Sequence, residues 1–184
     1  MVSVMGAGVS DLVDRAREFA TAFHASIGQR RKYTDEPYIT HPGAVASCVS
    51  IVTDHEPTIA AAWLHDVVED TPATLLDIRN QFGDEVASLV EMVTDVSRPS
   101  DGNREARKRL DREHIAKATP AAKTIKLADL IDNARSIVAH DPEFARVYLA
   151  EKELLLAVLR EGDAMLHELA TIVLRDGLES LRKS

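Results

Sequence analysis

The sequence of 184 residues contains a single cysteine, Cys48, and aromatic residues make up only 4% of it. One thiol excludes a disulfide framework within the chain, so we expect Cys48 to be a small buried hydrophobic residue and the protein to be cytoplasmic. No stretch approaches the roughly 18 to 20 uncharged apolar residues of a membrane span. The net charge of −8 argues against nucleic acid as a partner, because binding it needs a broad basic face. A small anionic partner remains compatible, since it needs only a local cationic patch or a metal ion.

Period-two alternation of apolar residues, which is typical of β-strands, is also nearly absent. Hydrophobic residues make up 45% of the sequence and recur at three- and four-residue steps, which indicates amphipathic helices. We therefore predict an all-α fold, a compact bundle of about eight or nine helices. A single domain should span residues 1–184, with residues 1–9 as a loose N-terminal tail. The third helix, roughly 57–69, is nearly all apolar at its centre and should be buried.

The predicted third helix ends in a dense polar cluster, WLHDVVEDT (63–71). His65 and Glu69 are four residues apart, as are Asp66 and Asp70, so the two pairs should form adjacent rows on one helix. Burying two acids and a histidine beside apolar residues is expensive, and a bound cation is the simplest compensation. The alternative is a helix terminus with solvated acids, which an isolated His-Asp dipeptide would favour.

Two further segments place a histidine or an acid in an unusual setting. His41 stands in YITHPGAVA (38–46), just before a predicted helix, and the following proline restricts its approach. Asp129 lies in an apolar stretch of KLADLIDN (126–133), with Asn133 one turn later. A lone residue of either kind is usually structural. Three elements in the order H…HD…D indicate a shared site more strongly than any one of them.

The order and flanks of these motifs resemble the HD superfamily, most closely the hydrolase domain of RelA/SpoT-type alarmone enzymes and their small stand-alone relatives. The resemblance extends from about residue 16 to about residue 140, and the set of motifs is specific. It rests on QRRK (29–32), YITHP (38–42), LHDVVEDT (64–71), FG (82–83), EARKRL (105–110) and KLADLIDN (126–133). The run ASIGQ (25–29) departs from the shorter H-x-G-Q run usual in the family.

The resemblance implies one divalent metal ion, Mn²⁺, and assigns its ligands residue by residue: His41, His65, Asp66 and Asp129. It also implies that Glu69 and Asp70 are the catalytic pair. Physically, a carboxylate one turn from the ligands can orient or deprotonate a water molecule. Asn133 matches a position that organises the site and the substrate, whereas we expect its neighbour Asp132 to be a solvated acid. We expect no second metal, because the remaining histidines lie outside the motifs: His24, His55, His114, His140 and His167.

Candidate substrate-binding residues follow from the same resemblance. Arg31 and Lys32 should hold phosphates, because guanidinium groups bind phosphate bidentately; the alternative is an ordinary basic surface loop. Tyr148 is a candidate for packing against the guanine base. A second basic patch is equally compatible with a solvated helix face and with a phosphate-binding rim: Arg104, Arg107, Lys108 and Arg109.

These implications predict hydrolysis of the 3′-pyrophosphate of guanosine alarmones, (p)ppGpp, so the expected partner is a small anionic nucleotide. Two alternatives stay open at this point. One is an HD phosphohydrolase that acts on other nucleotides or on phosphomonoesters. The other is a non-catalytic, nucleotide-sensing HD module. The sequence makes no prediction of the oligomeric state.

Overall fold

The computed structural model describes residues 11–183, so the tail expected at residues 1–9 lies outside the described part. Within it the chain forms ten α-helices, a 3-10 turn at Pro99–Asp101 and no β-strand, which confirms the all-α fold class. An isolated bridge joins Arg30 and Pro37. The helices are α1 (Asp11–Ser26), α2 (Thr40–Ser50), α3 (Glu56–Leu64), α4 (Val67–Asp70), α5 (Leu75–Phe82), α6 (Asp84–Val93), α7 (Arg104–Ile115), α8 (Pro120–His140), α9 (Pro142–Leu156) and α10 (Ala164–Lys183).

Several of these helices begin at residues that cap them. Thr74 precedes α5 in a capping box. Pro120 and Pro142 occupy the first turns of α8 and α9, where a missing N–H costs no helical hydrogen bond. Thr119 and Asp141 precede them, and their side-chain oxygens accept backbone N–H groups of the first turn.

Among residues 11–183, none of the helices has both the length and the apolar composition that crossing a membrane requires.

Small side chains allow α3 to lie at the centre of the bundle. Ala60, Ala61 and Ala62 are fully buried, and α1, α2 and α6 pack around them. The other central element is α8, which is 21 residues long and contacts α2, α3, α6, α9 and α10. Because α2 packs against both α3 and α8, the three segments singled out in the sequence meet in one region of the fold.

The helix predicted over residues 57–69 is broken in the structure. It forms α3 and α4, with His65 and Asp66 in a turn between them. His65 Nδ1 lies 2.8 Å from the carbonyl oxygen of Ala62. In a continuous helix that oxygen would accept the N–H of Asp66, so the imidazole replaces a backbone donor where the chain turns. His65 and Asp66 therefore lie in the turn and Glu69 and Asp70 in α4, and the described residues form ten α-helices where we predicted about eight or nine.

Gly162, in the turn between α9 and α10, approaches α8 closely. A Cβ atom there would lie 2.8 Å from Leu127 Cδ1 and 3.1 Å from backbone atoms of Lys123 and Thr124. Backbone atoms of a central helix cannot easily move, so we expect Gly162→Ala to lower the free energy of unfolding by about 1–3 kcal/mol. Urea denaturation would measure this as a lower midpoint with an unchanged m-value. A midpoint equal to that of the wild type would contradict the close approach.

Candidate metal centre

Three parts of the fold contribute side chains to one buried cluster. His41 lies at the start of α2, His65 and Asp66 lie in the turn between α3 and α4, and Asp129 lies in the middle of α8. His41 and His65 are each 1% exposed and Asp129 is 7% exposed, so water cannot solvate these groups freely. The four residues that the sequence assigned to a metal site are therefore brought together by the helix packing.

The two imidazoles face the two carboxylates at short distances. His41 Nε2 lies 3.4 Å from Asp66 Oδ2 and 3.3 Å from Asp129 Oδ1. His65 Nε2 lies 3.1 Å from Asp66 Oδ2 and 3.9 Å from Asp129 Oδ1. Both Nε2 atoms are buried and form no hydrogen bond in the described part of the chain. Buried polar atoms are nearly always hydrogen-bonded, so two unpaired nitrogens aimed at the same oxygens require an explanation.

Hydrogen bonds on the far side of each ring determine which nitrogen faces the cluster. His41 Nδ1 lies 2.7 Å from Asp132 Oδ2, and His65 Nδ1 lies 2.8 Å from the Ala62 carbonyl oxygen. A carbonyl or ionised carboxylate oxygen can only accept, so each Nδ1 carries a hydrogen and donates it. Each Nε2 is thereby the nitrogen that faces the cluster, where it can bind a cation once it has lost its proton, as in the outer hydrogen bonds that orient metal-binding histidines.

This donor set fits a divalent cation. Nitrogen and oxygen ligands at about 2.0–2.2 Å from one ion lie ~3.0–3.5 Å from one another, close to most of the separations observed here. His41, His65 and Asp66 offer atoms that all lie within 4.8 Å of one another, and Asp129 Oδ1 lies 3.3 and 3.9 Å from the same two imidazole nitrogens. Two imidazoles and two carboxylates are borderline and hard ligands, suited to Mn²⁺, Fe²⁺, Co²⁺ or Zn²⁺.

Asp132 is not the solvated acid that we expected from the sequence. Its carboxylate accepts from His41 Nδ1 and, at 3.0 Å, from Arg31 Nη2. The hydrogen bond and charge of His41, with the charge of Arg31, outweigh desolvation and hold the pKa of Asp132 below its ordinary value. One turn of α8 separates it from Asp129, and the sequence pattern alone could not show that both acids face His41.

A buried ammonium group balances the charge of the two candidate carboxylate ligands. Lys126 Nζ lies 3.2 Å from Asp129 Oδ2. Burial alone would raise the pKa of Asp129, but Lys126 and the two histidines hold that pKa well below its ordinary range. Tyr38 adds a hydrogen bond of 2.7 Å from its hydroxyl to Asp66 Oδ2. Lys126 and Tyr38 belong to the KLADLIDN and YITHP motifs, but our sequence reasoning gave them no role.

Glu69 and Asp70 lie in α4, immediately after the turn. The Glu69 Oε1 atom accepts the backbone N–H of Asp95 at 2.7 Å. The Glu69 residue is exposed overall, but desolvation of its carboxyl group, together with the negative charges of Asp95 and Asp66, raises its pKa to about 7, although the charge of Lys126 acts in the opposite direction. Asp70 Oδ2 accepts a hydrogen bond of 2.8 Å from Gln29 Nε2. The two neighbouring acids therefore have different surroundings.

The predicted substrate residues are only partly brought together. Asn133 Nδ2 donates to Asp129 Oδ1 at 2.5 Å. Beside it lies an open cavity of about 210 Å³, whose lining includes Arg31, Lys32, Asn133 and Phe144. The Lys32 ammonium lies over the Phe144 ring, 5.8 Å from its centroid. Tyr148 is 7% exposed and does not line this cavity. Burial, together with the negative charge of Asp129, raises the pKa of the Tyr148 hydroxyl.

The second basic patch is largely neutralised by carboxylates. Arg104 forms two hydrogen bonds to Glu151, at 2.6 and 2.8 Å. Lys108 Nζ lies 2.7 Å from Asp95 Oδ2 and 3.3 Å from Asp111 Oδ2. The sequence did not predict the pairing with Glu151 and Asp95, which lie on other segments of the chain.

Comparisons with known proteins identify the family of this chain and several of its relatives. A family model of the HD domain matches residues 16–160. The chain is 43% identical over 118 residues to the guanosine-3′,5′-bis(diphosphate) 3′-pyrophosphohydrolase MESH1 of Drosophila melanogaster, across 62% of this chain and 64% of that protein. It is 39% identical over 146 residues to MESH1 of Homo sapiens, across 76% of each.

The match to a bacterial relative covers a smaller share of that protein. A probable guanosine-3′,5′-bis(diphosphate) 3′-pyrophosphohydrolase of Synechocystis sp. is 39% identical over 151 residues, which is 80% of this chain and 20% of that protein. The chain thus spans less than two thirds of the Drosophila relative and about a fifth of the Synechocystis relative. A solved structure of a metazoan ortholog of SpoT that hydrolyses ppGpp superposes with a TM-score of 0.82 at 33% identity, covering 93% of this chain and 98% of that one.

Proposed function

The chain belongs to the HD-domain family, and we propose that it is a metal-dependent phosphohydrolase that removes the 3′-pyrophosphate from the guanosine alarmones (p)ppGpp. HD domains bind divalent metal ions. The relatives named as alarmone hydrolases support the substrate. The observation that carries the proposal is the pair of buried, unpaired Nε2 atoms of His41 and His65, which face Asp66 and Asp129.

The metal in this proposal is Mn²⁺, bound by His41, His65, Asp66 and Asp129. When bound, such an ion supplies Lewis acidity toward a phosphate oxygen and lowers the pKa of water. The chain's own contribution is to hold the four ligand atoms in place before the ion arrives. Asp132 and the Ala62 carbonyl orient the imidazoles, and Tyr38 orients Asp66.

Release of intact pyrophosphate requires a water oxygen to bond to the phosphorus nearest the ribose while the bond from that phosphorus to the 3′-oxygen breaks. The water must lose a proton and the 3′-oxygen must gain one. Glu69 and Asp70 are the acids that we assign to these transfers. A carboxyl group with a pKa of about 7 can both accept and donate a proton near neutral pH, which supports Glu69 in this role.

The substrate phosphates and base are assigned to the cavity beside Asn133. Arg31 and Lys32 reach its wall from the loop before α2, and their charges suit the diphosphate. Asn133 links this wall to Asp129. We assign Tyr148 to the base side of this cavity as well. Its ring centroid lies 5.9 Å from that of Phe144, which lines the cavity.

Purified protein with Mn²⁺ should convert ppGpp to GDP and pyrophosphate, with kcat/KM at least about a hundredfold above that for GTP or p-nitrophenyl phosphate. Chromatography of the nucleotides and an enzymatic assay for pyrophosphate would measure both products. Excess EDTA should abolish turnover, and added Mn²⁺ should restore it.

The same panel separates the two alternatives. Turnover of ordinary nucleotides or phosphomonoesters without turnover of ppGpp would overturn the substrate and leave an HD phosphohydrolase of other specificity. Binding of ppGpp by calorimetry, with no product at any metal concentration, would replace the hydrolase with a nucleotide-sensing module.

A further inference from the structure

A hydrogen-bond chain approaches Asp70 from α1, outside the group of residues assigned above. His24 Nδ1 lies 2.6 Å from Gln29 Oε1, and Gln29 Nε2 lies 2.8 Å from Asp70 Oδ2. His24 belongs to the last turn of α1, Gln29 to the loop that follows, and Asp70 to α4. Gln29 thus bonds a carboxylate 41 positions away and is itself bonded by His24.

The direction of each hydrogen bond in this chain follows from its acceptors. An amide oxygen and an ionised carboxylate can only accept, so His24 Nδ1 donates to Gln29, and the Gln29 amide nitrogen donates to Asp70. Polarisation along the chain strengthens the bond to the carboxylate. His24 is 1% exposed and its ring lies 4.8 Å from that of Tyr38, so packing fixes the first donor.

The loop that carries Gln29 does not depend on this side chain. Its backbone N–H donates to the His24 carbonyl at 3.0 Å, and its carbonyl accepts from Tyr38 N–H at 3.2 Å. Gly28, at φ +64°, allows the chain to turn between the end of α1 and Gln29. The backbone therefore holds the loop in place, and the amide group remains available to act on Asp70.

Asp70 has little else to hold it. Oδ2 accepts from Gln29, and Oδ1 forms no hydrogen bond with the part of the chain that the structure describes. The Asp70 backbone N–H donates to the Asp66 carbonyl at 3.0 Å, so Asp70 lies one turn from a candidate metal ligand. An exposed carboxylate with one partner rotates freely when that partner is removed.

We propose that Gln29, itself held by His24, is a positioning residue that fixes the Asp70 carboxylate so that its second oxygen faces the substrate. The inference rests on the proposed function, in which Asp70 takes part in proton transfer. Gln29 does not touch the reacting atoms. It selects one rotamer of a side chain that does.

The first test is kinetic. Gln29→Ala should lower kcat about tenfold, with KM and the Kd for Mn²⁺ within twofold of wild type. Asp70→Ala should lower kcat by about a hundredfold or more. The double variant should be no slower than Asp70→Ala, because Gln29 then has nothing to position. Gln81→Ala, the same change at an exposed site on α5, is the matched control and should match the wild type.

The second test needs no turnover. In metal-free protein labelled with ¹⁵N, the Gln29 side-chain amide should give a resolved, slowly exchanging pair of proton signals, and Asp70→Ala should shift them and speed their exchange. The His24 ring should show a protonated Nδ1 by its ¹⁵N shift. Gln29 signals that are unaffected by Asp70→Ala would show that the hydrogen bond does not form, and the inference would fail.

The kinetic outcomes separate this inference from the proposed function. If Asp70→Ala keeps wild-type kcat on ppGpp, the catalytic assignment fails, and the positioning role fails with it. If Asp70→Ala is slow but the loss from Gln29→Ala is absent, or multiplies with that of Asp70→Ala in the double variant, only the positioning role is overturned. A tenfold loss of kcat in Gln29→Ala, with no further loss when the same change is added to Asp70→Ala, supports the positioning role.

Discussion

Asp66→Asn should lower kcat/KM on ppGpp by at least about a thousandfold and remove binding of one Mn²⁺ per chain. Asp66 Oδ2 lies 3.4 and 3.1 Å from the two imidazole nitrogens, so its charge acts on both histidines and on any ion that they bind. Asparagine has almost the same shape, and its amide oxygen can still accept the Tyr38 hydroxyl, so the fold should survive. Calorimetry with Mn²⁺ and steady-state kinetics would measure the two losses.

The control for Asp66→Asn is Asp176→Asn, the same change at an exposed residue of α10 whose carboxylate is paired with the neighbouring Arg175. It should leave metal binding and kcat/KM at wild-type values. Circular dichroism at 222 nm should show equal helix content in both variants. Stoichiometric Mn²⁺ binding in folded Asp66→Asn would place the ion elsewhere, and the proposed hydrolase site would then be wrong.

The parts of the site that the sequence could predict are those that lie within motifs. His41, His65, Asp66 and Asp129 could be grouped from the sequence because their three motifs, in the order H…HD…D, resemble those of the HD superfamily. Their convergence, within 3.1–3.9 Å between nitrogens and oxygens, depends on α2 packing against both α3 and α8. That packing follows from side-chain volumes along whole helices, such as the three buried alanines of α3, and no single motif encodes it.

The residues that sequence reasoning missed are those whose role depends on a long-range partner. Asp132 looked like a solvated acid because it follows an apolar stretch in α8, yet His41, 91 positions away, makes it part of the site. Arg104 and Lys108 looked like a basic face because Glu151 and Asp95 lie on other segments. Charge patterns along a helix cannot show which carboxylates another helix will bring opposite them.

The break between α3 and α4 shows the same limit at the scale of one turn. Spacing of four residues predicted that His65 and Glu69 would stack on one helix face. The His65 imidazole instead bonds the Ala62 carbonyl, a local competition between side chain and backbone that helical periodicity does not include. As a result His65 and Asp66 lie in the cluster, whereas Glu69 is bonded to the N–H of Asp95 on another segment.

Glu69→Gln should lower kcat about a hundredfold or more while leaving Mn²⁺ binding unchanged, because glutamine keeps the acceptor for the Asp95 N–H but cannot transfer a proton. Glu179→Gln, an exposed position on α10, is the matched control and should be as active as wild type. Equal Kd values for Mn²⁺ in both variants, measured by calorimetry, would separate this effect from loss of the metal. Wild-type kcat in Glu69→Gln would move the proton-transfer role away from this residue.

Glu69→Gln should also make the metal-free protein more stable, and the sign of this change follows from the raised pKa of Glu69. The pKa of this carboxyl group is about 7 in the fold and 4.5 ordinarily. Between these two pH values, the folded chain still holds a proton that the unfolded chain has lost. The stability that this proton confers is complete below about pH 4.5 and is lost as the pH rises through about 7. Glutamine resembles the protonated acid at every pH.

In EDTA, the free energy of unfolding of Glu69→Gln should therefore match that of wild type at pH 4.5 and exceed it increasingly up to pH 8. A gap that stays constant over this range in urea titrations would show that the Glu69 carboxyl titrates normally, and its assignment as the proton-transfer group would lose its electrostatic support.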